Sequence, residues 1–338
     1  CVGGNKEIQK DLDDGIDTIG KKMTVCQLYA KQIRHRGNVR YNTKNGRKRL
    51  MKLLEEDKLG GCPIDSVKLS DAKEWAIRMK EKGISYKTIS NDKRSLKAAF
   101  YTAIQDDCIR KNPFDFQLNT VIEDDTEPKV PLTPAQEESF LSFAQNDKVY
   151  QKYYDELIIL LGTGLRISEL CGLTDTDINF ENRIINVDHQ LLRSAETGYY
   201  IETPKTKSGI RQIPMSEKVY EAFNRVLKRR RGAKAVTIDG YSNFLFLNRD
   251  GYPKTATNYD GMFRGLAKKY NKYHEEALPK VMTPHTLRHT FCTNMANAGM
   301  NPKALQYIMG HSNITMTLNY YAHATFDSAK AEMLRIAA

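Results

Sequence analysis

Apolar residues recur at helical spacing through most of this chain and alternate like strands in only a few short runs. Over 25–34, 43–56, 70–82 and 85–107 they fall at i, i+3 and i+4, which predicts four amphipathic helices. In the last of these, Ile89, Leu96, Ala99, Phe100 and Ile104 form one stripe, while Lys87, Asn91, Arg94 and Lys97 occupy another face. Ser70 and Ser85 are placed to cap the third and fourth helices, and Gly83 to close the third. Further helices are predicted near 134–145, 150–162, 216–231, 258–273, 285–298, 301–309 and 313–320, with one more in the tail at 328–336. Thr133-Pro134-Ala135-Gln136 reads as a capping box with proline at the first helical position. Three runs, 183–187, 199–202 and 211–214, read as strands, with turn signals at Gly198 and Ser208-Gly209. The pattern thus predicts an α-rich chain of two parts: a helical bundle, then a mixed α/β domain with a small antiparallel sheet.

Length agrees with that division, since 338 residues suffice for two domains that each bury a core. Hydrophobic content of 40% and charged content of 28% exclude wholesale disorder. The longest apolar run, 157–161, is far short of the roughly 20 residues a membrane helix needs. No basic segment followed by an apolar one marks a signal peptide, and a start at Cys1 rather than Met points to a longer natural chain. The six cysteines are scattered without a C-x-x-C pair, which argues against a zinc site or a disulfide framework and fits a reducing cytoplasm. Four of them stand in apolar stretches, as small buried hydrophobes.

Charge sharpens the picture. The net +11 is uneven: residues 23–120 carry +10, residues 1–22 carry −1, and residues 129–338 carry +6. The acidic, proline-containing stretch 121–131 separates two basic blocks and reads as a linker. Arg34, Arg36, Arg40, Lys44, Arg47, Lys48 and Arg49 are denser than solubility requires, and basic helix faces of this kind suit a phosphate backbone. By contrast, 228–231 (KRRR) ends a helix, where cations favour the dipole and a solvated run is expected.

Polar residues at abrupt structural positions carry the chemistry. Arg166 follows the break Gly162-Thr163-Gly164; His285 and Arg288 share a helix face; His311 follows Gly310; and Lys207 sits on the Lys205-Thr206-Lys207-Ser208-Gly209 turn. Asn319-Tyr320-Tyr321-Ala322-His323 holds a tyrosine pair. No grouped Asp and Glu along the chain provides the hard ligands of a metal-dependent nuclease. Guanidinium forks can instead meet the charge on a pentacoordinate phosphorus. A tyrosine hydroxyl can serve as nucleophile and a lysine as acid for the leaving oxygen. Glu169 can orient an arginine or form an ordinary ion pair.

The ordered set Arg166, Lys207, His285-x-x-Arg288, His311, Tyr321, in the strings GTGLRISEL, TPHTLRHTFCT and MGHSNITMTLNYYAHA, resembles the tyrosine recombinase (phage-integrase-type) family. The likeness covers about 133–338 and is greatest to integrases of conjugative transposons; the block 23–120 resembles the family's core-binding domain by pattern only. It implies domains at 1–22 (remnant of an arm-binding domain), 23–120 (helical core-binding), 121–131 (linker) and 132–338 (catalytic, with a C-terminal helix). It implies a site-specific recombinase that integrates and excises a mobile element through a 3′-phosphotyrosine and a Holliday junction, without metal, ATP or other cofactor. Arg166 and Arg288 would clamp the scissile phosphate, His285 and His311 hydrogen-bond its oxygens, Lys207 act as general acid and Tyr321 as nucleophile. Lys205 and Tyr320 are the alternatives at those two positions; Tyr321 has the Y-x-H context and Lys207 the hairpin turn. Partners implied are duplex DNA clamped between the two domains, three further copies in a tetramer, and accessory DNA-bending or excision factors. The place implied is the cytoplasm, at the nucleoid when bound to DNA. A type IB-like topoisomerase and a catalytically dead DNA-binding relative are the rival readings; the first lacks these R-I-S-E-L and G-H-S boxes, the second would not need all six residues.

Overall fold

Thr24 starts the first helix by a reciprocal pair: its hydroxyl takes the Gln27 N–H at 3.2 Å and the Gln27 side chain takes the Thr24 N–H at 2.9 Å. Four helices follow in the first unit, α1 (Val25–His35), α2 (Tyr41–Glu55), α3 (Leu69–Glu81) and α4 (Tyr86–Gln105). The computed structural model describes residues 20–37, 39–127, 130–204, 206–230, 236–321 and 333–334. The chain divides between Glu127 and Pro128 into two compact units.

The stripe read on α4 is the spine of the first unit: Ile89, Leu96, Ala99 and Phe100 are buried against Leu28 and Tyr29 of α1, Leu50 and Leu54 of α2, and Trp75 and Met79 of α3. Trp75 meets Phe114 edge-on with ring centroids 5.8 Å apart. Gly83, at φ +76°, ends α3 in the left-handed cap, with Ile84 N–H on Met79 O and Gly83 N–H on Lys80 O. Ser85 caps α4 as expected. Ser70 does not cap α3: the helix starts one residue earlier, after Lys68, whose N–H is taken by the Asp71 carboxylate at 2.8 Å. Part of the basic surface is spent internally, because Arg49 pairs with the buried Asp92 at 2.5 Å and Arg78 forks onto the buried Asp57.

In the second unit α5 (Pro134–Asn146) begins with the Thr133–Gln136 capping box. Next come α6 (Tyr154–Thr163) and α7 (Ile167–Gly172), then five strands: β1 (Ile178–Asn179), β2 (Ile184–Val187), β3 (Gln190–Ser194), β4 (Gly198–Glu202) and β5 (Arg211–Pro214). They form two sheets rather than the single one expected, an antiparallel β1–β2–β5 sheet and a β3–β4 hairpin. β1 and β3 escape the sequence pattern for different reasons. β1 has only two residues, and β3 sets Leu191 and Leu192 side by side instead of alternating them with polar residues.

Helices α8 (Glu217–Arg230), α9 (Ala256–Tyr273), α10 (Pro284–Asn297), α11 (Pro302–Met309) and α12 (Thr315–Leu318) complete the unit. The main core joins Phe140, Leu157, Leu160, Phe223, Phe263 and Leu287. A smaller cluster of Phe291, Cys292, Leu305 and Met309 lies under α10 and α11, with Tyr320 and Tyr321 packed against it. α12 is a single turn, shorter than expected, so the tyrosine pair follows the helix rather than lying on it. The predicted helix at 328–336 lies outside the described residues apart from 333–334, as do Cys1 and Lys205.

Within the KRRR run Arg229 and Arg230 are engaged rather than simply solvated, and Arg231 lies outside the described residues. Arg225 and Arg229 both pair with the buried Asp155, and Arg230 Nε donates to Phe244 O at 2.5 Å. Of the described cysteines, Cys108, Cys171 and Cys292 are buried and Cys26 and Cys62 half-buried, all as thiols. Among the described residues no helix is long and apolar enough to cross a membrane. Trp75→Ala should cost the first unit about 3–5 kcal/mol, the range for truncating a fully buried large aromatic, as read by denaturant unfolding. A loss below about 1 kcal/mol would contradict its place in that core.

Candidate active site

Two helices end where the site begins. α6 stops at Gly164 and α11 at Gly310, both left-handed, with φ of +63° and +61°. An added Cβ would stand 2.4 Å from Phe291 Cδ1 at Gly164 and 3.0 Å from Ser208 O at Gly310, so the approach of chain to chain also requires glycine. The last carbonyls of a helix have no partner inside it. Here arginines supply the partners. Arg288 Nη1 donates to Gly164 O at 2.5 Å and its Nη2 to Met309 O, while Arg166 Nη2 donates to Gly310 O at 2.9 Å.

Arg166 is the N-cap residue of α7, and Glu169, three residues on, completes the start of that helix by accepting the Arg166 N–H at 2.9 Å. The other oxygen of Glu169 accepts Arg166 Nη1 at 2.6 Å. The same carboxylate receives a fork from Arg211, the first residue of β5: Nη2 at 2.9 Å on one oxygen and Nη1 at 3.1 Å on the other. Glu169 therefore holds two arginines at once, which sequence reading left open, and Arg211 is a participant that it missed. The available signal was its strand position: Arg211 and Ile213 share the inward face of β5, an anomalous place for a cation without a partner.

Electrostatics follow from this crowding. Burial works to raise the Glu169 carboxyl, but hydrogen bonds from Arg211 and the charges of Arg211, Arg166 and Arg288 outweigh it and hold it at about 2. Burial and the neighbouring Arg166 charge push the Arg288 guanidinium down to about 9, leaving it cationic at neutral pH. His311 is buried, and that burial together with Arg288, Arg166, Arg211 and His285 pushes its imidazole down to about 4, so the ring is neutral at pH 7. Its Nδ1 lies 3.0 Å from the hydroxyl of the fully buried Thr317, a partner with no signal in the sequence pattern.

Arg166, Arg288 and His311 thus stand together around the end of α11, and Arg166 remains partly open to solvent, with 38% of its side chain exposed. Lys207 is exposed on a turn whose Ser208 carbonyl approaches Gly310. His285 is exposed at the second position of α10 and close enough to act on His311. Tyr321 is not aimed at the arginines: its hydroxyl donates to Met300 O at 2.5 Å, and burial raises its phenol above the ordinary range. Tyr320 packs against His289 with ring centroids 4.8 Å apart.

Guanidinium N–H groups gathered at a partly open surface, with one carboxylate shared between two of them, form an excess of positive charge suited to a tetrahedral oxyanion. Carboxylates ungrouped along the chain do meet elsewhere in space: Asp177, Asp188 and His189 lie with ligand atoms within 4.8 Å of one another. The two ring nitrogens of His189 are engaged there by Asp188 Oδ1 at 2.5 Å and Gly172 O at 2.8 Å, which makes the ring a buried strut between α7 and β3.

Residues 131–328 match the phage integrase family. The transposase from transposon Tn916 of Enterococcus faecalis is 69% identical over 330 residues, covering 98% of this chain and 81% of that protein. Among solved structures, the Tn1549 transposon integrase in complex with a circular intermediate DNA is 78% identical. It superposes with a TM-score of 0.89 over 93% of this chain and 99% of that one. The same integrase bound to transposon right-end DNA is again 78% identical, with a TM-score of 0.88 over 94% and 100% of the two chains.

His311 and Glu169 both have depressed values in the folded state, so the unfolded chain binds protons more readily than the folded one. Stability should therefore be complete above about pH 6.5, fall as the pH drops from 6.5 towards 4 through His311, and fall again from 4.5 towards 2 through Glu169. In thermal unfolding from pH 7.5 to 3, His311→Gln should remove the upper step. Glu169→Gln should remove the lower one, while costing about 3–5 kcal/mol at pH 7 by leaving buried arginine charge unmatched. Unchanged profiles in both variants would contradict the assigned charge states.

Proposed function

The chain belongs to the phage integrase family, and on that premise we propose that Tyr321 cuts DNA by forming a covalent 3′-phosphotyrosine, so that a mobile element is integrated and excised. It is a site-specific recombinase of the tyrosine type, an enzyme that breaks and rejoins DNA strands. The observation that carries the residue assignment is the convergence of Arg166 and Arg288 on the carbonyls of Gly310, Met309 and Gly164. Positive charge is concentrated there beyond what Glu169 matches; burial, with the Arg166 charge beside it, depresses Arg288, and a phosphodiester would offset that charge.

In the proposed reaction the phenolic oxygen of Tyr321 releases its proton to solvent and attacks the scissile phosphorus; the Tyr–O–P bond forms and the P–O5′ bond breaks. Arg166 and Arg288 meet the charge on the non-bridging oxygens, and His285 and His311 hydrogen-bond to the same phosphate. A neutral His311 imidazole carries one ring N–H, which can donate a hydrogen bond to a phosphate oxygen in either direction of the reaction. Lys207 gives its proton to the departing 5′-oxygen. Attack by the 5′-hydroxyl of a partner strand then reverses the sequence and releases Tyr321, and two rounds of exchange pass through a Holliday junction. Each step exchanges one phosphoester for another, so no ATP is required, and the two arginines supply the charge stabilisation a metal would otherwise give. For the attack, the Tyr321 hydroxyl must exchange Met300 O for the phosphate.

The substrate class rests on the relatives, since the Tn1549 integrase is bound to a circular intermediate and to a transposon end. Duplex DNA carrying element ends is the partner inferred for this chain. The reading also includes a DNA-bound tetramer, docking of the helix at 328–336 on a neighbouring copy, accessory DNA-bending factors and a cytoplasmic location. Residues 23–120 would bind the core site, 132–338 catalyse, 121–131 link them, and 1–22 belong to an arm-binding domain.

A nicked suicide duplex of the cognate site tests the chemistry. Wild type and Tyr320→Phe should give a covalent protein–DNA adduct on a denaturing gel, and Tyr321→Phe none; adduct formation by Tyr321→Phe but not Tyr320→Phe would move the nucleophile to the neighbour. Arg166→Lys should lower cleavage by about a hundredfold or more while a gel shift still shows binding, because an ammonium cannot reproduce the guanidinium fork. Equal loss of binding and cleavage would remove Arg166 from the phosphate clamp.

A further inference from the structure

Arg211 has no place in the reaction sequence, yet among the described residues of the second unit it is a heavily engaged cation. Its side chain is completely buried. Four hydrogen bonds leave it: two to Glu169, one from Nη1 to Gly209 O at 3.1 Å, and one from Nε to Ile308 O at 2.5 Å. These acceptors belong to three separate segments, and each segment carries one of the proposed reacting groups within two or three residues. Gly209 closes the turn of Lys207, Glu169 orients Arg166, and Ile308 precedes Gly310-His311. The packing is tight from the other side as well, since a Cβ on Gly310 would stand 3.1 Å from Arg211 Nη1 and 3.0 Å from Ser208 O.

We propose that Arg211 is a positioning residue that fixes the Lys207 turn against Arg166 and His311, so that the general acid reaches the leaving oxygen; this rests on the reading of Lys207 as that acid. Arg211 touches no DNA, being buried, and acts through the turn it folds back upon. A guanidinium is suited to the task because its donors are rigidly coplanar and can serve three directions at once. Lysine would keep the charge opposite Glu169 but lose the fixed geometry to Gly209 and Ile308. Arg211→Lys therefore separates charge compensation from positioning.

Single-turnover cleavage of suicide duplexes by the full chain provides the test, comparing an ordinary 5′-oxygen at the scissile phosphate with a 5′-sulfur in the same place. The P–S bond breaks to give a thiolate, a leaving group that needs no proton. On the oxygen substrate Arg211→Lys should be slowed about a hundredfold, and on the sulfur substrate it should return to within about threefold of wild type. Lys207→Ala should show the same pattern. Rescue of Lys207→Ala without rescue of Arg211→Lys would overturn the positioning role alone, and so would an undiminished rate of Arg211→Lys on oxygen. Failure of sulfur to rescue Lys207→Ala would overturn both the acid assignment and the proposal built on it. The sulfur-to-oxygen rate ratio is read only on molecules that react, so a merely destabilised preparation would slow both substrates alike. If Arg211→Lys does not fold, Gly310→Ala presses on the same contacts and should raise that ratio.

Discussion

Two buried guanidinium groups and a third at the surface, gathered beside one carboxylate, are the constraint around which the second unit is arranged. Arg166 and Arg211 share Glu169 while Arg288 bonds to no carboxylate, and taking charges out of water is costly unless each finds close partners. The missing negative partners come from the backbone. The last turns of α6 and α11 offer carbonyls that no helical N–H can reach, and partial negative charge gathers at such ends. Gly164, Ile308, Met309 and Gly310 contribute one carbonyl each, and left-handed glycines turn the chain so that these oxygens face the arginines. Helix termination and charge compensation are thus one device, which also explains why the site forms at breaks in the secondary structure.

Those breaks are what made the site readable in the sequence. Arg166, His285 with Arg288, and His311 each stand close to a glycine or proline at a helix boundary, and most helix ends follow from apolar periodicity within two residues, α6 starting four residues late because a 3-10 turn precedes it. What escaped was information carried by space rather than by the chain. Arg211 belongs to the site because β5 pairs with β2 and carries its side chain inward to a carboxylate 42 residues away in sequence. Thr317 looks like any helix threonine until it is found against His311. β1 and β3 are too short or too uniformly apolar for a period of two to register, and Ser70 lost the cap of α3 because Asp71 provides a charged acceptor for the same end of the helix. The tyrosine pair was legible as a pair, whereas the Met300 partner of the Tyr321 hydroxyl and the packing of the Tyr320 ring on His289 depend on the arrangement of α10 and α11.

The first unit divides its charges differently. Its inward-facing carboxylates, Asp57 and Asp92, are each matched by an arginine, and Asp106 and Asp115 pair with Lys31 and Lys97 at the surface. Among the described residues Arg34, Lys44 and Arg47 have no ion pair. Several acidic residues of this unit are thus consumed in holding it together, and described cations without an ion pair stand on all four helices, among them Lys73 on α3 and Lys87 and Arg94 on α4. A surface of that kind binds a phosphate backbone without reading sequence, and its strength varies steeply with salt.

The neutral His311 has a consequence for the settings in which such a protein can act. An ordinary histidine changes charge across the acidity range that bacteria and their surroundings traverse, and a reaction depending on it would run at a different rate in each. The three arginines that crowd this ring, together with its burial, move its titration to about 4, below that range. The charge at this position is then indifferent to changes of acidity around neutrality.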